Sequence, residues 1–391
     1  MIGLEEAKRI VLAKVVPLQE TWFDLVDALG HYLSNDNLVS PVDHPLFPCS
    51  AVDGYAFAFD GRNEWKVVRE VAAGQHSDVP VRPGECARIF TGAMMPMFTD
   101  TVVMQEFVKR EGGMISHTDH RLTRFANVRQ AGEQARAGDI VHERGSMYDP
   151  ASIGLLAGLG LTRVPASPRP KVGVLVTGDE FAATASPRTG RIFSSNDAML
   201  EAALRKEGIR AVVRRCGDQQ GALCAAIDAL RSEVDVLVTT GGVSVGDHDL
   251  VEPALMELGA TMHFHGVAQK PGKPMLFASL KTKPVFGLPG NPRAVMILFW
   301  EYVLPFLRAM QGAREPALRS EPLPLVHAVN AKGERAEFRA AQVKGGTVAL
   351  LANEGSHMLR SLALADAIAY LPAGRGSWAQ GERIEVHYLP R

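Results

Sequence analysis

The period of the apolar positions changes along the chain and divides it into textures. Residues 1 to about 48 place apolar side chains at helical spacing, as at Trp22, Leu25, Val26 and Leu29, which predicts two amphipathic helices. From about residue 49 to 125 the runs become short and β-like, including EWKVVREV, ARIFTG and DTVVMQEFV, split by glycine and proline. Residues 126–168 return to the first texture and end in the helical DPASIGLLAGLG and the proline-rich VPASPRP. The β segment therefore reads as an insertion into a helical region.

From Lys171 strands and helices alternate. KVGVLVTG precedes a helix from about Asn196 to Glu207, IRAVVRRCG precedes DQQGALCAAIDALRSE, and VDVLVTTGG leads into DLVEPALMELG. PMLFASL and PVFGLPG then feed a long helix beginning at Asn291. Such alternation with short turns predicts a parallel sheet covered on both faces. Beyond about residue 315 the chain reverts to short strands and turns, closing in GERIEVHYL. The expectation is a multidomain α/β protein. Its parts are an elongated helical region (1–48 with 126–168), a β-rich insert (49–125), a parallel-sheet α/β domain (169–314) and a small C-terminal β-barrel-like domain (315–391).

Composition agrees with several cores. A length of 391 residues suggests roughly two to four domains. Apolar content of 46% with 22% charged is globular composition. Lys+Arg 42 against Asp+Glu 43 leaves a net charge of -1, so charge makes no case for nucleic acid or a membrane surface. Cys49, Cys86, Cys216 and Cys224 form neither a CxxC pair nor zinc spacing and read as buried small hydrophobes. MIGLEEAKRIVLAKV lacks the apolar centre of a signal peptide, and AVMILFWEYVLPFL, broken by Glu301 and Pro305, falls short of a bilayer span. A soluble cytoplasmic protein is expected.

In open α/β sheets ligands sit outside the carboxyl ends of the strands. The TGDE turn, Thr177 to Glu180, falls at that edge, though alone it is ordinary turn chemistry. Asp218 opens a helix and alone reads as an N-cap. Gly241, Gly242, Ser244 and Gly246 resemble a phosphate cradle, yet Asp247 and Asp249 follow, and no Gly-Lys-Ser/Thr completes a P-loop. KPGKP supplies Lys270 and Lys273, which alone read as a solvated turn. GLPGNP supplies Pro289, Gly290, Asn291 as N-cap and Pro292 at the first helical position, aiming N–H groups at the edge. Convergence of Glu180, Asp218, Asp247 and Asp249 with the lysines and that helix start would make a hard-cation and phosphate site, with Mg²⁺ the natural metal.

The motifs TTGGVSVGDHD, KPGKP, GLPGNP and TGDE resemble the molybdopterin-binding fold of molybdenum-cofactor biosynthesis proteins. CSAVDGYAF, TGAMMP, DTVVMQE, NVRQAGE and EGSHMLRSLALADAIAYLP are similar to the MoeA-type molybdopterin molybdenumtransferases, relatives of the gephyrin C-terminal domain. The resemblance covers essentially the whole chain in the expected order. It implies a transferase that inserts molybdate-derived molybdenum into adenylylated molybdopterin with Mg²⁺, releasing AMP and molybdenum cofactor. It also implies an elongated homodimer whose active cleft lies between the α/β domain of one subunit and the insert of the other. Other molybdenum cofactor biosynthesis proteins and apo-molybdoenzymes are the implied partners. Asp53 and Thr91 would come from the insert, and Glu180, Asp218, Asp249, Lys270, Pro289 and Pro292 match family positions implicated in activity or cofactor binding. Glu180, Asp249 and Asp247 would serve the metal, and Asp53 or Glu180 would move protons.

The chain departs from the family pattern in places. Gln134 stands where an acid is common, Ser194 where an aspartate is frequent, and Gly266 where a basic residue sometimes precedes KPGKP, flanked by His263 and His265. A tungstate-handling or specialised paralogue and a non-catalytic molybdopterin-binding scaffold are the competing expectations.

Overall fold

The computed structural model describes residues 1–75, 79–181, 191–243, 249–352 and 354–390. Only one of the two expected N-terminal helices forms, Leu4–Leu12. Its buried Leu4, Ala7 and Val11 join the core of the α/β sheet. The second gives way to a strand, Thr21–Asp24, paired antiparallel with Arg163–Ala166, and a short 3-10 turn, Leu25–Ala28. Tertiary pairing overrides the helical spacing here: TWFD is rich in strand formers and finds a partner strand far along the chain. Leu25 and Ala28 are buried while Trp22, Val26 and Leu29 stay exposed. Residues before and after the insert share one core, in which Leu33 packs with Tyr148, Leu156 and Val164. There Asp149 caps the helix Pro150–Gly158 through a reciprocal capping box with Ser152.

Between them lies a six-stranded sheet in the order Thr101–Met104, Gly54–Phe57, Glu85–Ile89, Glu64–Val71, Met114–His117, Val108–Glu111. Alternation along its strands feeds two apolar clusters. One contains Ala56, Val71 and Ile89, the other Phe57, Trp65 and Ile115.

The α/β sheet also has six strands, ordered Ala211–Cys216, Val172–Thr177, Val236–Thr240, Lys283–Leu288, Leu276–Leu280, Thr261–His265. The first four run parallel, but Leu276–Leu280 is antiparallel to both its neighbours, so the expected parallel sheet is mixed. The cause is a two-residue hairpin. Leu280 pairs with Lys283 across Lys281 and Thr282, with Lys281 at φ 56°, and so short a loop can only reverse the strand. Both faces are covered, as the continuous apolar runs require. Val172, Val174 and Val176 join Leu200 and Leu204 of the helix Asn196–Lys206 on one face. Leu175 joins Leu223, Ile227 and Leu230 of Gln220–Glu233 on the other. Burying each such leucine contributes about 1.5–3 kcal/mol.

The last sheet runs Gln269–Lys270, Ala336–Lys344, Ala367–Leu371, Arg383–Tyr388, Ser320–Pro324. Its first strand belongs to the KPGKP loop and pairs parallel with Ala336 and Glu337, which ties that loop to the C-terminal sheet.

Candidate active site

Four parallel strands end at one edge of the α/β sheet, and their loops enclose a cleft of about 290 Å³. Glu180, Asp218 and Asp249 line it together with Gly241, Gly242, Pro289, Gly290 and Asn291. Three expected acids are thus brought to one cavity with the glycine turn and the GLPGN loop. Ser244, Gly246 and Asp247 lie outside the described residues. Gly241 is required by space as well as by conformation, and Gly242, at φ 63°, by conformation. Gly241 sits at φ 91°, and a Cβ there would come 2.6 Å from Thr177 Oγ1 and 2.8 Å from the Thr177 carbonyl oxygen. The two strand ends therefore approach as closely as backbone allows.

Asp218 does not cap its helix: Gln219 occupies the N-cap, and Asp218 Oδ2 instead accepts the Asp179 N–H at 3.3 Å. The carboxylate is left at the cleft wall because the helix starts one residue later than the acid suggests. Asn291 does hold the N-cap position with Pro292 at the first turn, but its side chain makes no capping bond.

Asn196 is a residue that sequence reasoning passed over, since an asparagine at a helix start reads as local capping. It lines the same cleft and is 4% exposed. Its Nδ2 donates to the Gly290 carbonyl at 2.9 Å, while Oδ1 is buried with no hydrogen-bond partner among the described residues. An orphaned buried acceptor is costly unless a further donor completes it.

The lysines line a neighbouring cleft of about 250 Å³ that shares Pro274, Pro289 and Asn291 with the first. Here Lys270, Lys273, Arg293, Arg335 and Arg339 face Glu337 and Glu354, so basic side chains outnumber acids. Lys270 Nζ lies 3.5 Å from Glu337, which Arg339 also engages at 2.7 Å. Burial opposes charge on Glu337, but the Arg339 and Lys270 cations outweigh it and hold the carboxyl below its usual range. Burial pushes the neighbouring Glu354 up despite its 2.7 Å pair with the fully buried Arg293. The three arginines were not legible as site residues, because Arg339 on the strand Ala336–Lys344 and Arg335 just before it lie far along the chain.

Asp53 and Thr91 line neither cleft of this chain. They meet each other in the insert, where Asp53 Oδ1 accepts both the Thr91 N–H and its hydroxyl at 2.8 Å. The backbone bond, then the hydroxyl, holds the Asp53 carboxyl below the usual carboxylate range. Of the departures, Gly266 stands at φ 92°, a conformation that disfavours the basic side chain found elsewhere. Ser194 Oγ donates to Asp197 Oδ1 at 3.0 Å. The Gln134 backbone N–H donates to the His44 carbonyl at 2.9 Å.

No group of three or more His, Cys, Asp or Glu side chains among the described residues makes a closed metal site. Mg²⁺ does not need one, since it keeps waters and takes one or two carboxylates beside substrate phosphates. An oxygen-only acid set in a cleft that adjoins a basic one fits that mode. None of the helices among the described residues is long and apolar enough to cross a membrane.

Similarity to known proteins covers the whole chain. Residues 2–160 match the MoeA N-terminal region (domain I and II), residues 173–309 the probable molybdopterin binding domain, and residues 322–389 the MoeA C-terminal region (domain IV). A molybdopterin molybdenumtransferase of Haemophilus influenzae is 31% identical over 99% of this chain and 98% of its own. One from Nostoc is 32% identical over 94% of this chain and 88% of its own. The crystal structure of a molybdopterin biosynthesis moeA protein from Pyrococcus horikoshii superposes with a TM-score of 0.86, at 26% identity and full coverage of both chains. With its three matching regions in order and near-complete relatives, the chain belongs to the MoeA family of molybdopterin molybdenumtransferases, a family of transferases with a multidomain α/β fold.

Proposed function

We propose that the chain inserts molybdate-derived molybdenum into adenylylated molybdopterin, releasing AMP and molybdenum cofactor. The observation that carries this reading is the contiguity of an acidic cleft and a basic cleft, which share Pro274, Pro289 and Asn291. A dianionic oxyanion and a pyrophosphate-linked substrate call for cations, and Lys270, Lys273 and Arg335 supply them. Gly241, Gly242 and Gly290 let the substrate approach the backbone, and Asn196 Oδ1 accepts a hydrogen bond from it. Glu180 and Asp249 would hold Mg²⁺, with Asp218 orienting its water; Asp247 belongs to the same loop. When bound, Mg²⁺ neutralises phosphate charge during AMP release.

Binding molybdenum to two thiolates expels oxide as water and so consumes protons. Asp53, held ionised by Thr91, accepts and relays them more readily than it stores them. Because Asp53 and Thr91 lie outside both clefts of their own chain, the reading places them at the cleft of a partner in a homodimer. The reading divides the chain into 1–48 with 126–168 as the dimerising region, 49–125 as the insert, 169–314 as the substrate domain and 315–391 as the C-terminal domain; cores of their own support the first region and the insert, whereas Leu4, Val11 and Phe338 share the α/β core. A cytoplasmic location and hand-over to apo-molybdoenzymes follow from the same reading.

The test is incubation of purified protein with adenylylated molybdopterin, Mg²⁺ and molybdate, reading AMP release and reconstitution of an apo-molybdoenzyme. Substrate binding with no AMP release would make the chain a scaffold. Release driven by tungstate in place of molybdate would make it the tungsten-handling paralogue.

A further inference from the structure

His265 ends the edge strand Thr261–His265, outside the set of residues lining either cleft. Its Nδ1 lies 2.7 Å from Glu252 Oε2, and its Nε2 lies 2.8 Å from the Val243 carbonyl oxygen. Both partners are pure acceptors. The ring spans the two within hydrogen-bond distance of each. Glu252, from the helix Val251–Glu257, is the charged side chain that meets the ring. The adjoining strand places apolar Leu276 opposite, and the turn brings the Val243 carbonyl.

These partners lie at the two ends of one segment. Val243 closes the Gly241-Gly242 turn, and Glu252 follows Asp249 at the start of the next helix. The Val251 N–H also donates to the Gly242 carbonyl at 3.1 Å, a second tie between the same ends. Val243 itself is 1% exposed and sits over Gly287, where a Cβ would come 3.0 Å from Val243 Cγ1. Val243 and the 249–252 stretch are thus tied to each other, and His265 is the polar pin that reaches both from a different strand.

We infer that His265, bridging the Val243 carbonyl and the Glu252 carboxylate, is a positioning residue that ties together the two ends of the 243–252 segment and thereby sets the affinity of the substrate cleft. The inference rests on the proposed role of Asp249. Holding Gly242 and Asp249 in place in advance removes ordering cost from the binding step.

Nitrogen-15 NMR of the histidine ring in the wild-type protein tests the pin directly. The His265 ring-nitrogen shifts should move in Glu252→Ala, which removes the Nδ1 partner. Amide exchange at Val251 should accelerate about tenfold in His265→Ala, the loss expected for one charge-assisted bond. In turnover, KM for adenylylated molybdopterin should rise about tenfold with little change in kcat, as for lost positioning of bound substrate. Ring-nitrogen shifts unmoved by Glu252→Ala, unchanged Val251 exchange, or an unchanged KM would each overturn the inference. An Asp249→Asn variant that keeps full AMP release would instead sink the reading of Asp249, and the ring and exchange results would stand apart from it.

Discussion

At the scale of single residues, the candidate site is a matter of which atoms are left over. Asp53 accepts two bonds from Thr91 and stays ionised, so its part is to pass protons on and not to store them. Asp53→Asn should lower AMP release by about 100-fold, the usual worth of a positioned acid–base group, with an unchanged thermal melt. Gly241→Ala should instead damage the fold locally, because the added methyl meets Thr177 at φ 91°. It should cost about 1–3 kcal/mol in denaturant unfolding and weaken substrate binding. Cys86 illustrates the opposite case, a group hidden from chemistry. Burial pushes its thiol up to about 12, so alkylation at mild pH should leave it intact while the native fold holds. The types of these residues were visible in the sequence. Their partners were not, since the Thr91 donors and the orphaned Asn196 oxygen exist only once distant turns meet.

At the scale of elements, the N-terminal helix, a π-helical segment and the last strand meet at a buried carboxylate. Glu301, on Phe299–Val303, pairs with Lys8 at 2.7 Å and with His387 Nδ1 at 2.6 Å. Burial opposes its charge, but the bonds from His387 and Lys8 outweigh that cost and hold the carboxyl below its usual value of 4.5. A lowered acid stabilises the fold fully above that ordinary value, and the contribution fades as pH falls through the lower folded value. Melts from pH 7 down to pH 3 should therefore show a loss in the wild type that Glu301→Gln lacks. Glu301→Ala should destabilise by about 3 kcal/mol at neutral pH, since it strands a buried partner. In the sequence Glu301 only interrupted a greasy helix. The strand–helix alternation from Lys171 was plain from its periods, whereas the hairpin at Lys281-Thr282 hid behind two apolar runs that suited a parallel strand equally well.

At the scale of the whole molecule, the proposed sharing of the cleft between subunits has a direct genetic test. Mixing Asp53→Asn and Asp249→Asn chains under subunit exchange should restore about a quarter of wild-type activity, because half the dimers then carry one intact site. If both residues serve the same chain's cleft, no activity returns. Substrate affinity should also fall steeply with added salt, since the second cleft recognises anions through Lys270, Lys273 and Arg335.

The sequence alone determined what depends on local order. Strand and helix periods placed the α/β domain, and Gly, Pro, Asp and Lys in fixed short spacings marked the loops that reach its edge. Tertiary structure decided what depends on long-range pairing. It turned a would-be helix at Thr21 into a strand by giving it Arg163–Ala166, and it reversed one strand of the sheet. It also separated the acids from the lysines into adjoining clefts by tying Lys270 to the C-terminal sheet. Local residue spacing carries no record of such contacts, because each is settled by the free energy of two surfaces meeting and not by either segment alone.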